Sequence, residues 1–211
     1  TVPPRTTEDI LVPILERSGL MVSRGEGATG NTFYLAHCPE RVLPGRILTE
    51  LVSNDRVIGG IDRAAANIAK TLYKSFVQGE IFLTDATTAE MVKLMENTYR
   101  DVNIALANEL ALVAEKVGVS IWEAIEIANR HPRVKILKPG PGVGGHCISV
   151  DPWFIVQSAP ELTPLIQTTR RVNDSMPGHV AKMVKEAVAE VERPVIACLG
   201  LTYKGDVDDI R

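Results

Sequence analysis

Apolar positions recur at helical spacing from Thr7 to Ser18, where Ile10, Leu11, Ile14 and Leu15 share one side. Short runs at Thr32 to Ala36, Arg56 to Ile58 and Glu80 to Leu83 predict strands, and Arg63 to Val77 predicts a helix between the last two. Strands that alternate with helices predict βαβ units and a parallel sheet. Three strands are few for such a sheet, so this part reads as the tail of a doubly wound domain.

A longer helical pattern follows. Thr87 and Glu90 have the spacing of a capping box, and apolar residues then recur at Met91, Met95, Val102, Leu106, Leu110, Val113 and Val117 before Gly118 supplies a stop. Such a helix is roughly 45 Å long. That exceeds what one small domain needs, which predicts a link between domains or packing against a partner subunit. Ser120 and Glu123 repeat the capping-box spacing and open a short helix to about Asn129.

From His131 to Asp151 glycine and proline interrupt every period, which excludes regular helix or central strand. Asp151-Pro152 then reads as an N-cap followed by proline at the first helical position. Helices are predicted over Pro164 to Asn173 and Pro177 to Val191, and the run Val195 to Leu199 reads as a buried strand ending at Gly200. The expected fold is an α/β fragment: the tail of a doubly wound parallel sheet over 1–84, a mostly helical region over 85–192, and the first strand of a further α/β domain over 193–211. Thr1 and Arg211 both read as cuts in a longer protein.

Composition narrows the class. Of the 211 residues, 45% are hydrophobic and 23% charged, with a net charge of −3, as in an ordinary globular protein. No basic run or basic-aromatic stripe points to nucleic acid, and no apolar stretch is long enough for a membrane span. The three cysteines, Cys38, Cys147 and Cys198, are widely spaced and form no CxxC pair, which suits a reducing cytoplasm.

Three segments carry candidate chemistry. In Gly140-Pro141-Gly142-Val143-Gly144-Gly145-His146-Cys147, glycines allow positive φ and close backbone approach to a ligand. A cysteine delivered by such a loop just before a helix is placed where a thiolate is stabilised. The alternative is a buried structural cysteine. His146, Cys147 and Asp151 do not have zinc-ligand spacing. On the long helix, Lys93, Asn97, Arg100, Ile104 and Asn108 lie close to one face, which is either solvated or lines a site. Glu40, in Cys38-Pro39-Glu40-Arg41-Val42-Leu43-Pro44-Gly45, follows a predicted strand, where ligands sit in open α/β sheets; otherwise it is a surface carboxylate.

Taken in order, Thr1-Val2-Pro3-Pro4, Pro39-Glu40, Glu90 through Lys93 to Asn97, Asn108-Glu109, Gly144-Gly145-His146-Cys147 with Asp151, and Gly200-Leu201-Thr202-Tyr203-Lys204 resemble the UDP-glucose/GDP-mannose dehydrogenase family. The segments Cys38 to Gly45, Tyr99 to Ala105 and Asn129 to Val134 are similar to the branch that acts on UDP-N-acetylhexosamines.

The resemblance implies oxidation of a sugar C6 alcohol to a carboxylate with two NAD⁺. It implies Cys147 as nucleophile, Lys93 and Asn97 as oxyanion stabilisers, Glu40 as base or water-positioner, and Asp151 and Thr1 as orienting groups. Thr1, Glu40 and Cys147 are the residues expected beside the cofactor. For the UDP-sugar it implies contacts from Arg41, Val42, His131, Arg133, Lys138, Gly142, Gly144, Gly145, Lys204 and Arg211. It further implies a homodimer formed through the long helix, with Cys38 and Cys198 as inert core thiols. The family's glycine-rich dinucleotide fingerprint, which belongs near the N-terminus of a complete member, is not found. Two readings of other classes remain beside it: a cysteine hydrolase using Cys147 and His146, and a dimerisation scaffold built on the long helix.

Overall fold

The computed structural model of the chain describes residues 1–25, 30–43, 45–200, 202 and 205. They form two compact units, Thr1–Glu96 and Asn97–Arg211.

The first unit is mixed α/β. A widened helical turn, Thr7–Leu11, runs into helix α1 (Val12–Glu16). Pro13 near the start of α1 has no N–H to close an α-helical bond onto Asp9, and the turn before it opens to π spacing. Thr7 is fixed instead from outside: its backbone N–H and hydroxyl both donate to Glu90 Oε1, at 2.7 and 2.6 Å, in a buried setting. The expected strand at Thr32 to Ala36 is split in two. Strand β1 (Met21–Val22) pairs in parallel with β2 (Thr32–Phe33), while β3 (Ala36–His37) belongs to a second sheet.

That second sheet has the order β3-β4-β5, with helix α2 (Ile47–Ser53) preceding β4 (Arg56–Gly60) and helix α3 (Arg63–Tyr73) crossing to β5 (Ile81–Asp85). Strands β4 and β5 are parallel, the βαβ unit that the alternation predicts, whereas β3 lies antiparallel on β4. Every residue of β4 is buried, as the middle strand requires. Asp62 caps α3 by accepting from the Ala65 N–H at 2.7 Å. Gly59 is required for packing: a Cβ there would lie 2.3 Å from the Asp85 carbonyl oxygen and 2.6 Å from Ala89 Cβ.

Helix α4 (Ala86–Val117) is the predicted long helix, 32 residues in one run. Its start differs from the capping-box reading. Asp85 receives the Thr88 N–H at 2.8 Å and the Thr88 hydroxyl at 2.6 Å, while Glu90 is committed to Thr7. The helix therefore follows β5 without a loop, and the cap sits two residues earlier than expected. At its other end Gly118 takes φ +73°, the left-handed stop that lets the chain leave the helix.

The second unit is helical. Ser120 caps α5 (Ile121–Ala128) through the Glu123 N–H, as its spacing predicts. After the irregular loop comes α6 (Asp151–Ser158), then a single turn of tighter helix at Pro160–Leu162, and α7 (Pro164–Ala187). Asp151 is not the N-cap; Val150 holds that position and Pro152 is second in the helix. Two helices expected around Pro177 are one, with Pro177 inside α7. Residues Val195 to Leu199 form no strand among the described residues, and Val195 and Leu199 are 97% and 95% exposed. A strand needs a ladder partner, and none of the described strands pairs with this run.

Candidate active site

The irregular loop enters α6 through a tight turn. The Cys147 carbonyl accepts the N–H of Val150 at 3.1 Å and of Asp151 at 2.8 Å, and the Ser149 hydroxyl donates to the Gly145 carbonyl at 3.0 Å. Gly142 and Gly145 take φ +126° and +82°, conformations that side chains disfavour. The Cys147 thiol at the end of this loop is exposed and in no disulfide. Asp151, only 3% exposed, accepts a 2.5 Å hydrogen bond from Asn97 Nδ2, itself 4% exposed. The carboxylate thus turns inward to α4, which is why it does not cap its own helix.

The polar face of α4 is therefore not a solvated one throughout. Asn97 and Asn108 are buried, whereas Arg100 is exposed. Asn108 Oδ1 accepts the Gly140 N–H at 2.8 Å, and its Nδ2 donates to Asn173 Oδ1 at 2.9 Å. Asn173 Nδ2 donates to Asp101 Oδ1 at 2.8 Å, and Arg170 Nη1 donates to the same oxygen at 2.5 Å; Arg170 also pairs with Asp174. Burial pushes the Asp101 carboxyl up, against the pull of the Arg170 charge and the Asn173 amide. Sequence reasoning missed Asp101, Arg170 and Asn173. The available signal was the spacing of Asp101 and Asn108, two turns apart on α4, and of Arg170 and Asn173, one turn apart on α7.

In the first unit, Glu40 follows β3 as expected. Its Oε1 accepts from Arg56 Nη1 at 2.7 Å and from the N–H groups of Arg41 and Val42 at 2.7 and 3.1 Å. Partial burial alone would raise this carboxyl, but the Arg56 hydrogen bond, the two amides and the guanidinium charge hold it below its ordinary value. Arg56 is buried beneath it. Arg41 does not extend as a free cation: it pairs with Glu96 at 2.6 Å and donates to the Asp55 carbonyl at 3.2 Å. Lys93 is half-buried on α4 one turn before Asn97, and Thr1 is exposed. Cys38 is half-buried; burial pushes its thiol up, partly offset by a hydrogen bond with Tyr73. Cys198, expected in a core, is exposed among the described residues.

Of the remaining expected contact residues, His131, Arg133, Lys138, Gly142, Gly144 and Gly145 lie on the loop after α5. Asn129 closes this loop by bonding both backbone groups of Ile136, at 2.9 and 2.7 Å, and exposed His131 receives the Arg133 N–H at 3.3 Å. Lys138 lines an open cavity of about 750 Å³ with Trp122, Ile125 and Asn129. Gly144 is exposed and Gly145 half-buried. Lys204 and Arg211 lie outside the described residues.

A mixed α/β unit with parallel strands, leading into a long helix that meets a glycine-rich cysteine loop, defines a class. Residues 1–77 match the NAD binding domain of the UDP-glucose/GDP-mannose dehydrogenase family, and residues 87–175 match its central domain. The chain belongs to that family. It is 57% identical over 211 residues to the UDP-N-acetyl-D-mannosamine dehydrogenase of Methanocaldococcus jannaschii, covering all of this chain and 46% of that protein. It is 59% identical over 177 residues to the NDP-N-acetyl-D-galactosaminuronic acid dehydrogenase of Ralstonia solanacearum, covering 84% of this chain and 42% of that protein. Among solved structures it matches that of the UDP-D-ManNAc dehydrogenase of Pyrococcus horikoshii with a TM-score of 0.90 and 55% identity, covering all of this chain and 50% of that one. The chain spans about half the length of the curated relatives it matches.

Proposed function

We propose that the whole protein oxidises UDP-N-acetyl-D-mannosamine at C6 to the uronate, using two NAD⁺ and Cys147 as a covalent nucleophile. The observation that carries this reading is the exposed Cys147 thiol on a glycine-rich turn whose exit is tied, through Asp151, to Asn97. Among the described residues no helix is long and apolar enough to cross a membrane.

Thr1, Glu40 and Cys147, the residues that the family resemblance sets beside the cofactor, are each exposed, with a hydroxyl, a carboxylate and a thiol to offer a nicotinamide. A small cavity of about 220 Å³ also opens where β4 and β5 end, lined by Gly60, Asp62 and Asp85. When bound, the cofactor would supply the hydride acceptor for each of the two oxidations. This chain does the rest. Lys93 steadies the C6 oxygen as its proton passes to solvent water, with the Asn97 amide as a second donor. The Cys147 thiolate attacks the aldehyde carbon to give a thiohemiacetal, and loss of the second hydride leaves a thioester on Cys147. Water then adds to the thioester carbon, the C–S bond breaks, and the acid and the free thiol return. Glu40 orients that water. A carboxyl held below its ordinary pKa is a better positioner than proton acceptor. Asp151 acts on Asn97, to which it is bonded.

A homodimer is part of the proposal. Met95, Tyr99, Leu106, Val113 and Val117 on α4 are each between 48% and 69% exposed, a stripe suited to a second copy of the same helix.

The test is the yield of NADH per sugar by the whole protein. Two NADH per UDP-N-acetyl-D-mannosamine, lost in Cys147→Ser, supports the scheme. Two with UDP-N-acetylglucosamine, UDP-N-acetylgalactosamine or UDP-glucose instead moves the substrate within the family; the similarity to the Ralstonia protein bears on the N-acetylgalactosamine case alone. No NADH with any sugar rejects the scheme and favours a scaffold.

A further inference from the structure

We infer that Asn108 and Asn173 are positioning residues for the Cys147 loop, set in orientation by the buried Asp101–Arg170 pair. The inference rests on the reading of Cys147 as nucleophile. Its basis is a directional chain of hydrogen bonds. An ionised carboxylate only accepts, so Asp101 requires the amide nitrogen of Asn173. That turns Asn173 Oδ1 toward Asn108, and Asn108 must answer with its own nitrogen. Its oxygen is thereby presented to the Gly140 N–H, the first glycine of the loop. Neither amide can flip without breaking a buried bond at both ends.

The burial of this set argues for more than cohesion. Asp101 and Asn108 are 0% exposed, Asn173 1% and Arg170 2%. An apolar set of the same shape holds two helices together as well or better, so burying an ion pair and two amides needs another reason. The loop supplies it. Beyond Gly140, Gly142 lies against the same part of α7: its absent Cβ would stand 3.3 Å from the Asn173 carbonyl oxygen and 3.3 Å from the Pro177 ring. Pro177 has no N–H to give to that carbonyl, so α7 is relieved of a bond where the loop crosses it. The other end of the loop is held at Asp151 by Asn97. Cys147 is thus suspended between two asparagines of α4, and a change at Asn108 moves the sulfur without touching it.

The experiment replaces Asn108 by Leu in the whole protein, removing the acceptor for Gly140 while keeping the same branched side-chain skeleton. In variant protein shown to be folded by circular dichroism, kcat for NADH formation is expected to fall about tenfold, with KM for the sugar within about twofold. The rate of Cys147 alkylation by iodoacetamide across pH, followed by peptide mass spectrometry, is expected to change about threefold or more while that of Cys198 stays constant. A part played in stability alone would lower the melting temperature and leave both readouts unmoved in the folded fraction, and that result overturns the inference. If Asn108→Leu does not fold, Asn108→Ser, whose hydroxyl and space admit a bridging water, is expected to show the same changes in smaller degree; wild-type values there overturn it equally. Should wild-type protein make no NADH, the nucleophile reading fails separately, and the alkylation comparison still decides whether Asn108 positions the loop.

Discussion

Asn97 Nδ2 donates to Asp151 Oδ2 at 2.5 Å, and both side chains are buried. The bond joins the middle of α4 to the first residue of α6, four positions after Cys147. Removing the amide leaves a buried carboxylate without this donor. Asn97→Ala is expected to cost about 1–3 kcal/mol of stability, whereas Asp151→Asn, which keeps an acceptor oxygen for the Asn97 amide, costs less. Urea unfolding of the two variants measures the difference.

The cysteines are expected to separate by reactivity. Cys147 and Cys198 are exposed, whereas burial raises the Cys38 thiol and withholds its thiolate. Limited alkylation near neutral pH should label Cys147 and Cys198 well before Cys38. Early labelling of Cys38 would contradict its placement beside Tyr73.

Glu40 contributes a pH dependence with a defined sign. Its folded pKa is held below the ordinary value, so its contribution to stability is present above that value and is lost as pH falls through the depressed one. The loss therefore lies below the usual carboxylate range. In Glu40→Gln this acid-dependent component is expected to vanish while the neutral-pH melting temperature also drops, because Arg56 stays buried without its anion. Thermal melts of both proteins from neutral to acidic pH make the comparison.

Two glycines are expected to resist change for different reasons. Gly59→Ala would drive a methyl into the Asp85 carbonyl at 2.3 Å, costing about 1–3 kcal/mol by overpacking where β4 meets α4. Gly142→Ala meets only 3.3 Å contacts but takes a side chain to φ +126°, a strain of about 1–3 kcal/mol. Chemical denaturation reads both. Turnover should fall only in the second among molecules that remain folded.

Local periodicity made the β4–α3–β5 unit and the length of α4 legible, because each needs only a run of one period and a stop at its end. It failed where a distant partner overrode a local signal. Glu90 has the spacing to cap α4 but bonds Thr7, 83 positions away, and Asp151 has the spacing to cap α6 but bonds Asn97. Pro177 looked like a helix start and is an interruption that α7 tolerates. The antiparallel β3 was hidden for a similar reason: two residues of ladder carry too little pattern to show direction. Cys147, Asn97, Glu40 and Lys93 were singled out from sequence; the Asp101–Arg170–Asn173 cluster was not, since its members are ordinary polar residues until folding buries them.

Asn97 and Asn108 stand eleven residues apart on one unbroken helix, which fixes a rise of roughly 16 Å and a nearly closed number of turns between them. The helix is therefore a ruler as well as a strut. Substitutions on its outer side leave the ruler intact, but inserting or deleting a single residue between positions 97 and 108 would swing one asparagine about 100° around the axis relative to the other. One end of the cysteine loop would then lose its mooring, so across this stretch length is constrained more tightly than composition.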